Sequence, residues 1–318
     1  MWVKPWQSVL VAGLVLVAQP ATAVDIAIGK PPGRMYDVGG YDLQMYCTGE
    51  GSPVVVIDTG LGSSSLEWLE IQHAMGRETR VCSYDRAGYG WSDGGPGPRT
   101  VSLLAEELNR LLDRADVDPP YVLVGHSFGG YIVQYYAETR ADKVAGLVLV
   151  ESSHPEQAAR LRDLVPGAAG IVPNEPLNNP VNEWLLNRSY GDPRGGPADI
   201  GNFLNSRRKA IFAQMDELEH FTESGRQVTA KRPLPEMPLV VLARGRPAWT
   251  STDGGEQLEL AWQQLQQELS QLTRQGELRI AGDSGHHVHR DQPALVINAI
   301  RDVVQASRTN MNTAHAGR

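Results

Sequence analysis

The chain has 318 residues, 41% of them hydrophobic and 21% charged, with a formal net charge of -8. That composition excludes a disordered chain, and the acidic balance leaves no basic stripe for a nucleic-acid backbone. The length fits one large α/β domain carrying an insertion.

At the N-terminus, Lys4 precedes an uninterrupted apolar run over 9–18, and Ala21-Thr22-Ala23 has the small-x-small form of a cleavage site. Together these parts read as a secretory signal over residues 1–23. The apolar run is shorter than the roughly 20 residues of a membrane span, so an uncleaved anchor is the lesser reading. The mature chain is expected to be exported, periplasmic or extracellular, with no stable membrane insertion after signal cleavage.

Strands are expected at 41–47, 53–59 and 80–84, with a helix ending near Met75 between the last two. Cys47 and Cys82 are the chain's only cysteines, and both fall in these strand-like runs. An exported protein could bridge them, but the demanding geometry of a disulfide favours two small buried thiols. A helix over 101–115 carries Leu104, Leu108, Leu111 and Ala115 on one face, with Thr100 placed to cap it. A Val- and Leu-rich strand then begins at Tyr121 and runs into Gly125-His126-Ser127-Phe128-Gly129-Gly130, with a helix over 131–139.

Further strands are expected at 144–150, 238–243 and 278–281, with a helix over 257–273. Strands alternating with helices imply a mainly parallel sheet covered on both faces. Residues 154–235 break this rhythm with prolines, asparagines and scattered aromatics, which reads as an inserted cap, helical in pieces. Core segments are therefore 24–153 and 236–306, and the polar stretch 307–318 is expected to be a flexible tail.

Gly-x-Ser-x-Gly between a buried strand and a helix places Ser127 on a sharp, strained turn that lifts its hydroxyl above the sheet edge. The helix N-terminus behind it offers unpaired N–H groups where an oxyanion would form. A serine nucleophile needs a base, and His286 in Asp283-Ser284-Gly285-His286 follows the last strand. His287 and His289 crowd it, but their spacing fits no standard zinc pattern, so neither a metal site nor a cofactor is expected.

With these motifs the chain resembles the α/β-hydrolase superfamily over about residues 36–306. The elbow at Ser127, Gly285-His286 followed by Asp291-Gln292-Pro293, and the segment from Tyr84 to Ser92 carry the resemblance. It implies a mostly parallel eight-stranded sheet with helices on both faces and an inserted helical cap. Thr59-Gly60-Leu61 stands where members have His-Gly-x, which implies an oxyanion hole from the Leu61 and Phe128 amides.

The acid departs from the common pattern, because the strand after the cap ends Leu242-Ala243-Arg244-Gly245 with no carboxylate before Asp253. Some members carry the acid at the end of the strand before the cap, where this chain has Glu151. Glu151 is preferred and Asp253 is the alternative; as plain structure they would be a cap-hinge ion pair and a helix cap. The expected activity is hydrolysis of a small carboxylic ester through an acyl-enzyme. A serine at the elbow excludes the dehalogenase and epoxide-hydrolase chemistry of relatives, which looks to need an aspartate there. Lactonase, aminopeptidase and acyltransferase reactions could use the same residues, and a non-catalytic ligand-binding role is the alternative of a different class. Trp68, Trp184 and Tyr190 could line an acyl pocket or serve as core.

Overall fold

The computed structural model describes residues 29–164, 196–228, 234–249 and 254–316. The signal segment 1–23, Trp184, Tyr190 and Asp253 lie outside these described residues.

Eight strands form one sheet: β1 (Arg34–Asp37), β2 (Asp42–Thr48), β3 (Val54–Asp58), β4 (Val81–Tyr84), β5 (Tyr121–His126), β6 (Val144–Val150), β7 (Leu239–Arg244) and β8 (Gly276–Ala281). Their order is β1-β2-β4-β3-β5-β6-β7-β8. The β1–β2 and β2–β4 pairs are antiparallel, and the remaining pairs are parallel. β1 is half-exposed, and its four residues contain no apolar run that would mark it in the sequence.

The described helices are α1 (Leu69–Met75), α2 (Val101–Arg114), α3 (Phe128–Thr139), α4 (Gln157–Leu164), α5 (Pro197–Asn205), α6 (Arg208–Glu219), α7 (Phe221–Gln227), α8 (Gly255–Ser270), α9 (Val288–Asp291) and α10 (Pro293–Ala316). Alternation along the parallel strands divides the core in two. Val54, Val56, Leu123, Leu147, Leu149 and Val241 face one way, against Leu104, Leu108 and Ile132 of α2 and α3. Val55, Ile57, Val122, Val124, Val148 and Leu242 face the other way, against Ile71 of α1 and Val296, Ile300 and Val303 of α10. Burial on both faces is why these strands read as unbroken apolar runs.

Three expectations change. Thr100 stands at the N-cap of α2, but its hydroxyl lies 3.0 Å from the Ser102 hydroxyl and makes no side-chain cap bond. The stretch expected as a flexible tail continues α10 as far as Ala316. Only its start packs on the domain: the Ser307 hydroxyl donates to the Ala145 carbonyl at 2.9 Å, and Arg308 donates to the carbonyls of Ser52 and Glu78 at 2.9 and 3.0 Å, while Thr309, Asn310, Asn312 and Thr313 are exposed.

Cys47 and Cys82, expected as thiols, are joined in a disulfide. The reason is register: antiparallel pairing of β2 with β4 sets the two residues directly opposite each other. Their separation of 35 residues closes a loop whose loss of unfolded-state entropy stabilises the fold by about 2–4 kcal/mol. Reduction by dithiothreitol should lower the urea midpoint correspondingly, and an unchanged midpoint with both thiols alkylated would refute this.

Candidate active site

The parallel strands deliver the candidate residues to one edge of the sheet, at their C-terminal ends, where open α/β sheets build their sites. β5 ends at His126, and Ser127 follows with φ 51° and ψ -120° before α3 starts at Phe128. Such a left-handed non-glycine residue stores about 1–3 kcal/mol, which the surrounding packing must offset. The flanking glycines make the turn possible. A Cβ on Gly125 would lie 2.5 Å from Val133 and 2.7 Å from the Gly130 Cα. On Gly129 it would lie 2.5 and 2.6 Å from the carbonyl oxygens of Asp58 and Thr59.

Ser127 Oγ lies 3.0 Å from His286 Nε2. The other ring nitrogen, Nδ1, lies 3.7 Å from Glu151 Oε1, an ion-pair distance that falls short of a hydrogen bond. Such contacts are commonly long before substrate is bound. Glu151 immediately follows β6, is fully buried, and is itself left-handed with φ 46°. Burial alone would raise its carboxyl, but contact with His286 and the charge of Arg244 prevail and hold it below the ordinary carboxylate range. The structure thus brings Ser127, His286 and Glu151 together, while Asp253 lies outside the described residues.

Arg244, the last residue of β7, is the partner the sequence did not single out. Its backbone N–H donates to Glu151 Oε2 at 2.8 Å, and its guanidinium donates to Glu151 Oε1. The same guanidinium donates to Glu259 Oε2 at 2.9 Å and lies over the rings of Trp249 and Trp262. A charged residue closing an apolar strand next to another such strand end was the available signal.

The loop after β3 approaches Ser127 closely: a Cβ on Gly60 would lie 3.3 Å from the Ser127 Cβ. Leu61 and Phe128 therefore stand on the two chain segments that meet at the nucleophile. Behind that loop is a buried ionic network. Arg86 donates to Asp58 Oδ1 at 2.8 Å and to Glu217 at 3.1 and 3.0 Å. It also donates to the carbonyls of Thr59 and Gly60, at 2.6 and 3.1 Å. Tyr84 donates to Asp58 at 2.5 Å, and Tyr89 donates to Glu217 at 2.8 Å. Burial pushes the Asp58 carboxyl up to about 6 even with Arg86 beside it.

Glu217 lies on α6, within the stretch between β6 and β7 expected to be a cap. On α5, Asn205 reaches the same loops, accepting from the Gly90 N–H at 2.9 Å and donating to the Gly62 carbonyl at 3.0 Å. Trp68 is fully buried and stacks on His289 with ring centroids 4.5 Å apart, so it belongs to the core. Burial, followed by the neighbouring imidazoles, holds His126 well below its ordinary value.

Comparison with known proteins agrees with this architecture. The family model for the alpha/beta hydrolase fold matches residues 53–211. An uncharacterized protein of Bacillus subtilis, YqjL, is 29% identical over 255 residues, covering 80% of this chain and 85% of that protein. A thermophilic esterase from Thermogutta terrifontis superposes with a TM-score of 0.59 at 23% identity, covering 84% of this chain and 94% of the esterase. An enol-lactonase from Burkholderia xenovorans superposes with a TM-score of 0.60 at 18% identity, covering 86% and 100%. At these identities the structural likeness is one of fold.

Proposed function

Because the chain belongs to the α/β-hydrolase family, we propose that it is a serine hydrolase that cleaves a small carboxylic ester through an acyl-enzyme. The observation that carries this reading is the 3.0 Å approach of Ser127 Oγ to His286 Nε2, with the buried Glu151 carboxylate facing the other ring nitrogen.

Ser127 Oγ attacks the ester carbonyl carbon while His286 Nε2 takes its proton. The oxyanion of the tetrahedral intermediate is held by the Leu61 and Phe128 N–H groups. Collapse of the intermediate expels the alkoxide, which leaves as the alcohol after receiving the proton from His286. Water, deprotonated by the same imidazole, then attacks the acyl-enzyme and restores the serine. Glu151 stays ionised throughout and holds the imidazole with Nδ1–H toward itself, which directs the Nε2 lone pair at the serine.

An ester is favoured over an amide because an alkoxide leaves more readily than an amine. A lactone is an internal ester and fits the same steps, and the fold it shares with an enol-lactonase is the reason to include lactones among the substrates. Export is part of the proposal, supported by the signal-like residues 1–23 and by a disulfide that suits an oxidising compartment. Among the described residues no helix is long and apolar enough to cross a membrane.

A fluorophosphonate probe should label the folded protein stoichiometrically and fail to label Ser127→Ala. The same pair should differ in turnover of short p-nitrophenyl esters and of simple lactones. A folded protein that neither takes the label nor turns over any of these substrates would instead be a ligand-binding member of the family.

A further inference from the structure

Beside the candidate active site, three histidines converge from two parts of the chain. His126 ends β5, while His287 precedes α9 and His289 lies within it. One nitrogen from each lies within 4.8 Å of the other two. We propose that His126, His287 and His289 form a binding site for a single divalent transition-metal ion of the zinc type, distinct from the Ser127–His286–Glu151 constellation.

The hydrogen bonding of the rings supports this. His126 Nε2 lies 3.0 Å from the His286 carbonyl oxygen, an acceptor only, so that nitrogen carries the proton. His289 Nε2 lies 3.4 Å from a carboxylate oxygen of Glu67, which also calls for a donor. Three imidazoles this close cannot all be charged, and a neutral ring with Nε2 protonated leaves its lone pair on Nδ1. The Nδ1 atoms of His126, His287 and His289 are all buried, and none has a hydrogen-bond partner among the described residues.

In a core where His126 and His289 are 1% and 2% exposed, their Nδ1 lone pairs are buried acceptors without a partner, and each costs the fold lost solvation. A cation held among the three rings would give such lone pairs a partner. The outer partners match those usual for metal-bound histidine, where the far N–H donates to a backbone carbonyl or a carboxylate that orients the ring. Here those partners are the His286 carbonyl and Glu67.

Imidazole ligation selects zinc, copper, nickel or cobalt over magnesium or calcium. Zinc–nitrogen bonds of about 2.0–2.1 Å in a tetrahedron place ligand atoms about 3.4 Å apart, so the trio must contract on binding. His287 is the partly exposed member, on the loop just before α9, and it is the one placed to move. Three protein ligands leave a fourth position for water. His287 and His289 are two residues apart, while the third ligand lies 161 positions before His287. This is why residue spacing along the chain reveals no zinc motif.

The test uses untagged full-length protein stripped with a chelator, dialysed against Zn2+ and separately titrated with Co2+ in the visible range. We expect one ion per chain and a tetrahedral Co2+ spectrum. His287→Ala should weaken binding at least about tenfold, and Glu67→Gln, which leaves all three ligands in place, about 10–100-fold. Circular dichroism and melting show which variants fold, and Glu67→Gln alone suffices if His287→Ala does not. Absence of saturable binding by the folded wild type would overturn the site. So would unchanged affinity in both variants, which would place the ion elsewhere. Neither result depends on turnover, so the outcome is separable from the hydrolase assignment.

Discussion

Glu151→Gln is expected to lower kcat by about 10^4-fold, the scale seen when the acid behind a catalytic histidine becomes an amide. KM should change little, because Glu151 contacts His286 and Arg244 and has no exposed surface of its own. The cause is tautomeric. A carboxylate accepts only, which holds the imidazole with Nδ1–H toward it and the Nε2 lone pair toward Ser127. An amide can present its own N–H to Nδ1, which would move the ring proton to Nε2 and disarm the base. Arg244 keeps Glu259 as a partner, so the substitution should cost less stability than activity. Steady-state kinetics beside thermal melting would separate the two effects. Asp253→Asn should retain near-native turnover. Full activity in Glu151→Gln together with loss in Asp253→Asn would transfer the acid's role to Asp253.

Much of this arrangement could be read from the chain, and the reasons differ between elements. β3 and β6 announce themselves because both faces are buried, leaving Val54–Asp58 and Val144–Val150 as short apolar runs bounded by turn residues. β1 has four residues, none fully buried, and pairs only at the sheet's edge, so no local pattern marks it. Ser127 was legible because its turn requires glycines at fixed offsets, and His286 because it follows the last strand. Glu151 was legible only as one of two carboxylates, since choosing between them depends on which strand end faces the histidine loop.

The disulfide escaped because it depends on the register of an antiparallel pair, which spacing between cysteines does not encode. Arg244, Asp58 and Glu217 escaped for a related reason. Each is an ordinary charged residue in the sequence and acquires its role from a partner at long range. Arg86 and Glu217 are separated by 131 positions, and Glu217 sits on a helix whose other residues show no sign of a buried acid. Long-range polar pairing leaves no period along the chain, whereas burial does.

Arg86→Met should therefore be the most damaging single change away from the reacting atoms, with an expected loss of about 3–5 kcal/mol from unpairing a buried ion network. Methionine fills much of the space but leaves the fully buried Asp58 without its cation, while Glu217 keeps only Arg99, whose guanidinium lies 3.3 Å away. It also removes the two donors that hold the Thr59 and Gly60 carbonyls, so residual activity per folded molecule should fall as the Leu61 amide loses its orientation.

The pH dependence has a definite sign. The Asp58 carboxyl already stands at about 6 in the fold, raised by burial and opposed by Arg86. Removing Arg86 raises it further above its unfolded value of about 3.9. A group whose folded pKa is raised favours the fold while protonated, and that contribution is lost as pH rises through the folded value. The deficit of Arg86→Met relative to wild type should thus be greatest at pH 7 and above, and shrink as pH falls toward 5. Urea unfolding of both proteins at pH 7.5 and 5.5 is the measurement. A deficit below about 1 kcal/mol would assign the network to surface-like pairing. A deficit that does not change with pH would mean that unpaired Asp58 is not the source of the instability.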